Sequence, residues 1–370
     1  MPSQILHLLF GEDVLAALYE RLKDRFGTVA EEALRKIKKD YWPGFALGCQ
    51  GPDIFYHNQS SRPVALEYGT LLHRRGYGVF TAALLKMALP ASPPAEHEMK
   101  RCHGAEALSP SRKITALGAY ALGFMTHAIL DRKAHPYIVY KAARHHAFFE
   151  RILDLTMLRL LRALDVSFWD QDALLAGACE RAPPGLAGLL EKALVSTFPE
   201  RAGKDEKLPQ RITNTFHDAA FFYRLTCPQK TTLRKGDPGL KKLWESGGRP
   251  LNYIYPEKIP LDIDYLNLGK TLWRDPGSPA GAHGQLSSTA SFPELYADAV
   301  EEAAQKLSPF IARYLGEGVF PIAEAARSIG NNSLSIQAEN GRPCAPRCFD
   351  FLPLDRVLAQ QERLRRQIFS

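Results

Sequence analysis

Residues 111–134 form a long apolar segment rich in alanine and leucine, unbroken by proline until Pro136. Such a segment is a helix that has to be buried against other elements. It nevertheless carries His127, Asp131 and His135, spaced four and four. On a helix that spacing puts all three on one stripe, about a turn apart. Pro136 is expected to end this helix, because a proline disfavours helical backbone at the residue before it and its ring blocks continuation. His135 would then stand at a helix end, its ring free to turn toward a site. A second pair, His146 and Glu150, is again four apart and lies in a helical segment over 138–164. Burying an unpaired carboxylate or imidazolium costs several kcal/mol, and metal coordination removes that cost.

The rest of the chain also reads as helices. Residues 12–39 show helical spacing through Val14, Leu15, Leu18, Leu22, Phe26, Ala30, Ala33, Leu34 and Ile37. Helical patterns recur at 66–89, 171–180, 185–197, 208–225, 293–314 and 354–368. No period-2 pattern marks a strand, so the expected class is all-α, a multi-helix bundle. Between 228 and 292 proline and glycine are frequent and large aromatics are interspersed, among them Trp244, Tyr253, Tyr255, Tyr265 and Trp273. This is expected to be a long ordered loop region or lid, because a flexible linker would not carry such side chains. The expected organisation is a metal-binding helical core over 1–230, a loop-rich insertion over 231–292, and C-terminal helices over 293–370 that pack on the same domain.

Composition narrows compartment and partners. At 45% hydrophobic and 24% charged residues, the chain can bury a sizeable core and is neither disordered nor fibrous. No apolar stretch approaches the roughly 20 residues needed to span a bilayer. The start, Met1 to Asp13, lacks a basic region and has acids close behind a short apolar run broken by His7, so it makes a poor signal peptide. Six cysteines at irregular spacing do not make a disulfide scaffold, and a reducing cytoplasm is the expected location. The net charge of +7 is modest. The basic stretch Arg35-Lys36-Ile37-Lys38-Lys39 reads as one solvated helix face, which can help approach to a phosphate-bearing substrate or an anionic membrane surface.

Histidine use is uneven. Nine of 11 histidines precede residue 151, where even spreading would put about four or five. A lone His–Asp pair four apart is usually a surface hydrogen bond, and a lone histidine on an apolar face is usually a satisfied core residue. Two such pairs and a further histidine on the same stripe point to metal, and mixed imidazole and carboxylate ligands suit zinc. Two neighbouring metals need about six to eight ligands, so upstream residues must contribute. Asp53 follows Gly51-Pro52 at a turn, His73 interrupts a mostly apolar helix, and His7 interrupts the apolar start. His57, after Phe55-Tyr56, is a candidate for the pocket mouth; His97, His103, His145, His217 and His283 have no assigned part.

The ordered set His7, Asp53, His73, His127-x3-Asp131, His135, His146-x3-Glu150 resembles the zinc-dependent phospholipase C family of bacteria, which is similar in fold to the fungal single-strand nucleases. The phrases Ile5-Leu6-His7-Leu8-Leu9-Phe10-Gly11, Gly48-Cys49-Gln50-Gly51-Pro52-Asp53-Ile54 and Leu122-Gly123-Phe124-Met125-Thr126-His127 support it, and the match spans roughly residues 5–165. The resemblance implies a helical bundle holding two or three zinc ions. Asp53, His73, His127 and Asp131 would hold one zinc, and His135, His146 and Glu150 a second, with a hydroxide bridging the two. Asp131 would also reach a third zinc, shared with His7 and the N-terminal amine and carbonyl. The chain departs from the family there: it begins Met1-Pro2, where the secreted enzymes expose a processed tryptophan.

The implied reaction is phosphodiester hydrolysis, of a phospholipid first of all. Asp53 would serve both as ligand and as the group that orients or deprotonates the attacking water. The substrate surface implies transient membrane contact. Two alternatives stay open: a nuclease or 3′-nucleotidase using the same metals, and a non-enzymatic zinc-stabilised domain that binds lipid or protein. Each reading confines the chemistry to the first 150 residues and leaves the remainder as scaffold, lid and specificity.

Overall fold

A computed structural model describes residues 3–88, 114–226, 238, 241, 254–256, 258–278, 286–315 and 322–369. The expectations for Met1-Pro2, for His97, His103 and His283, and for Trp244 and Tyr253 lie outside these residues. The described chain is mostly helical, as the periodicity predicts. Its β structure is one antiparallel pair of two-residue strands, Trp273–Arg274 with Ser287–Ser288.

The centre of the fold is the apolar helix. It runs Ala116–Ala142 (α6), opens on a Thr115 cap whose side chain accepts from the Gly118 amide, and is buried along most of its length. Around it stand α1 (Gln4–Phe26), α3 (Trp42–Cys49), α5 (Tyr77–Ala88), α7 (His146–Arg162) and α12 (Phe292–Tyr314). α3 lies on α6 almost backbone to backbone. A Cβ at Gly48 would stand 2.2 Å from the Tyr120 carbonyl oxygen, and one at Gly123 2.4 Å from that of Phe45. The glycines in these two phrases are therefore what lets the helix before Asp53 meet the helix carrying His127.

Three expected boundaries are corrected. Residues 12–39 are two helices, α1 and α2 (Thr28–Lys39), separated at Gly27, whose φ of 52° a side chain disfavours. The segment 66–89 likewise divides into α4 (Leu66–Arg74) and α5. Pro136 does not end α6. The helix continues through it to Ala142, and only after Ala143 and a 3-10 turn does α7 begin, at His146. An interior proline costs about 3 kcal/mol, and the turn beyond it is held by buried Tyr137, Ile138, Tyr140 and Ala142, which offset that cost in the core. The helices α8 (Gly177–Glu180), α9 (Leu186–Thr197), α10 (Pro199–Ala202) and α11 (Leu208–Leu225) follow. Near the C-terminus are α13 (Ile322–Ile329), which the periodicity did not reveal, and α14 (Asp355–Phe369). α2 buries Ala30, Leu34 and Ile37 and turns Arg35, Lys38 and Lys39 to solvent, the solvated face the sequence implies.

Candidate metal centre

Four separate elements bring the predicted residues together. His7 comes from the first turns of α1, and Asp53 from the 3-10 helix Gly51–His57. His73 comes from the end of α4, and His127, Asp131 and His135 from one face of α6. All six lie in or at the edge of the core. Gly51, at φ 55°, makes the turn that starts the 3-10 helix, and a Cβ there would fall 2.4 Å from the His127 ring. Glycine is thus needed twice over, for its backbone and for the room it leaves the imidazole.

Asp131 is the hub. Its Oδ1 lies 3.2 Å from His7 Nε2, and its Oδ2 lies 3.2 Å from His127 Nε2 and 3.8 Å from His73 Nε2. Asp53 closes the other side, with Oδ1 3.0 Å from His73 Nε2 and Oδ2 3.5 Å from His127 Nε2. His7 and His127 stack with ring centroids 4.1 Å apart. Two sets of three donors each converge within 4.8 Å among the described residues: His7, His127 and Asp131, and Asp53, His73 and His127. His127 Nε2 can serve only one ion at a time, whereas Asp131 has two oxygens, one beside His7 and one beside His127.

The third part is looser. His135 Nε2 stands 3.4 Å from Glu150 Oε1, and both residues are buried. His146 sits at the first position of α7, one turn before Glu150, not in mid-helix as expected. It is not in either convergent triplet.

The bland explanation is a set of buried ion pairs. Hydrogen-bond direction argues otherwise. A protonated imidazole would aim its N–H at the carboxylate, yet His73 Nε2, His127 Nε2, Asp53 Oδ1 and Asp131 Oδ2 are buried without a directed hydrogen bond. Buried polar atoms rarely go unsatisfied. The opposite ring nitrogens are satisfied: Nδ1 of His73 lies 2.7 Å from the Gly69 carbonyl oxygen, that of His127 3.1 Å from Cys49, that of His135 2.7 Å from Leu334, and that of His146 3.0 Å from Ala143. A carbonyl only accepts, so each Nδ1 carries a proton, and Nε2 is the nitrogen left to bind an ion once its own proton is lost. That is how metal-binding histidines are oriented by their surroundings. The buried histidine and carboxylate clusters fit a metal ion.

In the metal-free protein, charge holds the cluster together. Burial alone would favour neutral Asp53, but His127 and His73 outweigh it and hold the carboxyl well below its usual range. Asp131 is likewise held ionised against burial, by His127 and His135. Burial opposes the charged form of His135, yet Asp131 and Glu150 raise it to about 9 in the metal-free protein. His146 is pushed down to about 4, chiefly by burial.

His57 is not at a pocket mouth. It is 1% exposed and stacked on Phe222, with centroids 4.3 Å apart, and burial pushes it down to about 3. Between pH 3 and the ordinary value of about 6.5 the unfolded chain takes up a proton here that the folded one does not. Stability therefore falls as pH drops through that window, and His57→Phe is expected to flatten the fall. Urea unfolding midpoints at pH 5 and pH 7 measure it. An unchanged pH slope in the variant would remove His57 from this role.

No protein-family model matches the chain, and no curated protein or solved structure matches it. The groups that sequence reasoning missed are mostly backbone: the carbonyls of Cys49, Gly69, Ala143 and Leu334 carry no side-chain signature. The Leu334 contact shows that the C-terminal part of the chain also reaches one of the predicted residues.

Proposed function

We propose that this protein is a zinc-dependent phosphodiester hydrolase of the phospholipase C type. The observation that carries the reading is the convergence of His73 and His127 Nε2 on buried, ionised Asp53 and Asp131, with each opposing Nδ1 tied to a carbonyl, beside His135 Nε2 facing buried Glu150. Asp53, His73, His127 and Asp131 would hold one ion. His135, His146 and Glu150 would hold a second, and His7 with Asp131 would contribute to a third. Such ions lower the pKa of water toward neutrality and neutralise charge on phosphoryl oxygens.

The remaining work falls to the chain. Asp53, kept ionised by its histidines, accepts a hydrogen bond from the attacking water and aligns it for in-line displacement at phosphorus. His127, with no side-chain exposure, closes the inner wall, while His73, Asp131 and His135 keep 11%, 8% and 7% exposure and lie nearest the surface. Tyr56 packs against His73 there, with centroids 5.1 Å apart. A phospholipid substrate implies that this side meets a membrane surface transiently; no helix among the described residues is long and apolar enough to cross one.

Metal analysis of purified protein is expected to find about two to three zinc ions per chain. Turnover of phosphatidylcholine is expected to exceed that of single-stranded DNA and 3′-AMP, to be lost on chelation, and to return with zinc. Less than one metal ion per chain overturns the metal reading. Faster turnover of DNA or 3′-AMP transfers the site to a nuclease. Bound zinc with no hydrolysis of any of the three makes it structural, saturated by protein ligands.

A further inference from the structure

Residues 329–336 cross the metal centre from a part of the chain nearly two hundred positions away. The Leu334 carbonyl accepts from His135 Nδ1 at 2.7 Å, and the Leu334 amide donates to the His73 carbonyl at 2.8 Å. One buried residue thus touches two of the proposed ligands, on α4 and α6. The crossing segment is itself anchored by Arg132, the residue after Asp131. Its guanidinium donates to the Ile329 carbonyl and, at 3.1 Å each, to the carbonyls of Gly330 and Asn332. These include the carbonyls left open at the end of α13, which a cation is suited to cap. Asn331 Oδ1 accepts from the Val79 amide at 3.0 Å and ties the segment to α5. Gly78 lets α13 close down there, since a Cβ would stand 2.2 Å from the Ala326 carbonyl oxygen.

We propose that residues 329–336 are a positioning strap for the metal centre, with the Leu334 carbonyl setting the ring of His135 and Arg132 as its latch. The role of the strap rests on the metal reading above; its hydrogen bonds do not. A histidine ligand gains from a fixed partner on its far nitrogen in two ways. The partner selects the tautomer, and it removes the rotational freedom that binding would otherwise have to freeze. Arg132 is a positioning residue: its guanidinium donates to strap carbonyls and bonds to none of the proposed ligands, while its charge also adds to the field at Asp131.

The test uses the full chain with ¹⁵N-labelled histidine. In the parent, the Nδ1 protons of His127 and His135 are expected to exchange slowly with solvent, each held by a buried carbonyl. In Arg132→Ala the His135 proton is expected to exchange faster while that of His127, held by Cys49, is unchanged. Retention of one metal ion against a chelator is expected to weaken by about 10- to 100-fold, the range for lost partners behind a metal ligand. Arg132→Lys, which keeps a donor, is expected to recover part of both. Asn331→Ala, at an exposed position, gives a smaller change in the same direction and serves if Arg132→Ala does not fold. Unchanged His135 exchange in the folded variants overturns the strap. Uniformly faster exchange at His127 and His135 also overturns it, because the effect is then general loosening. A parent that binds no metal but shows the selective His135 change leaves the strap standing and removes the metal reading alone.

Discussion

Asp131→Asn is expected to lower turnover of bis-p-nitrophenyl phosphate by about a thousandfold or more, equivalent to about 4 kcal/mol of barrier. No other side chain in the centre faces as many partners. Its Oδ1 lies beside His7 and its Oδ2 beside His127 and His73, with His135 Nδ1 3.7 Å from Oδ2. Asparagine keeps the shape and removes two properties. The negative charge goes, and one oxygen becomes an NH₂ that can neither accept nor ligate. A neutral amide cannot hold two cations at once, so metal content is expected to fall together with kcat/KM. Parallel metal analysis and steady-state kinetics decide it. Full activity with full metal in Asp131→Asn would exclude Asp131 from the site. Full metal with lost activity would make it catalytic rather than structural to the cluster.

The helices and the cluster are visible in the sequence for one shared reason. An apolar helix shows its period, and a titratable group on its buried face breaks that period conspicuously. His127, Asp131 and His135 stand out in this way, and so does His7 in the apolar start of α1. Element ends were less visible. Pro136 has a strong local preference that stops helices, yet the apolar residues after it are buried against neighbouring elements, and packing prevails over the local signal. The orienting carbonyls were invisible because any residue can supply one: Leu334 reads in the sequence as an ordinary core leucine. Even so, Gly48, Gly51 and Gly123 fall inside the phrases that carry the resemblance, and the structure gives each a steric reason. Those phrases record close approach between backbones.

The largest stability effect is expected at a residue outside the cluster, Asp154. It is fully buried on α7, beside fully buried Arg151, whose Nη1 is 3.0 Å from Oδ2. The same carboxylate accepts from the Gln4 amide at 3.1 Å, the Leu6 amide at 2.8 Å, the Ser3 hydroxyl and the Tyr255 hydroxyl. Ser3 precedes α1 without capping it through its own side chain, so Asp154 reaches across from α7 to satisfy the helix start. His7 follows one residue after Leu6, and the aim of its ring toward Asp131 depends on where that first turn is held. Asp154→Ala is therefore expected to cost about 3–5 kcal/mol, because it strips a buried arginine of its carboxylate, with about 1 kcal/mol more for the lost cap. Urea denaturation of the metal-free protein measures this without interference from metal binding. The double variant Arg151→Met/Asp154→Leu separates the two causes. Removing both charges is expected to recover most of the loss, since a well-packed apolar pair is often as stable as the ion pair it replaces. It would not restore the cap, so metal retention at His7 is expected to stay weakened even where stability returns. A double variant no more stable than Asp154→Ala would show that the cap, not the buried charge, dominates. Equal metal retention in the parent and both variants would uncouple Asp154 from His7.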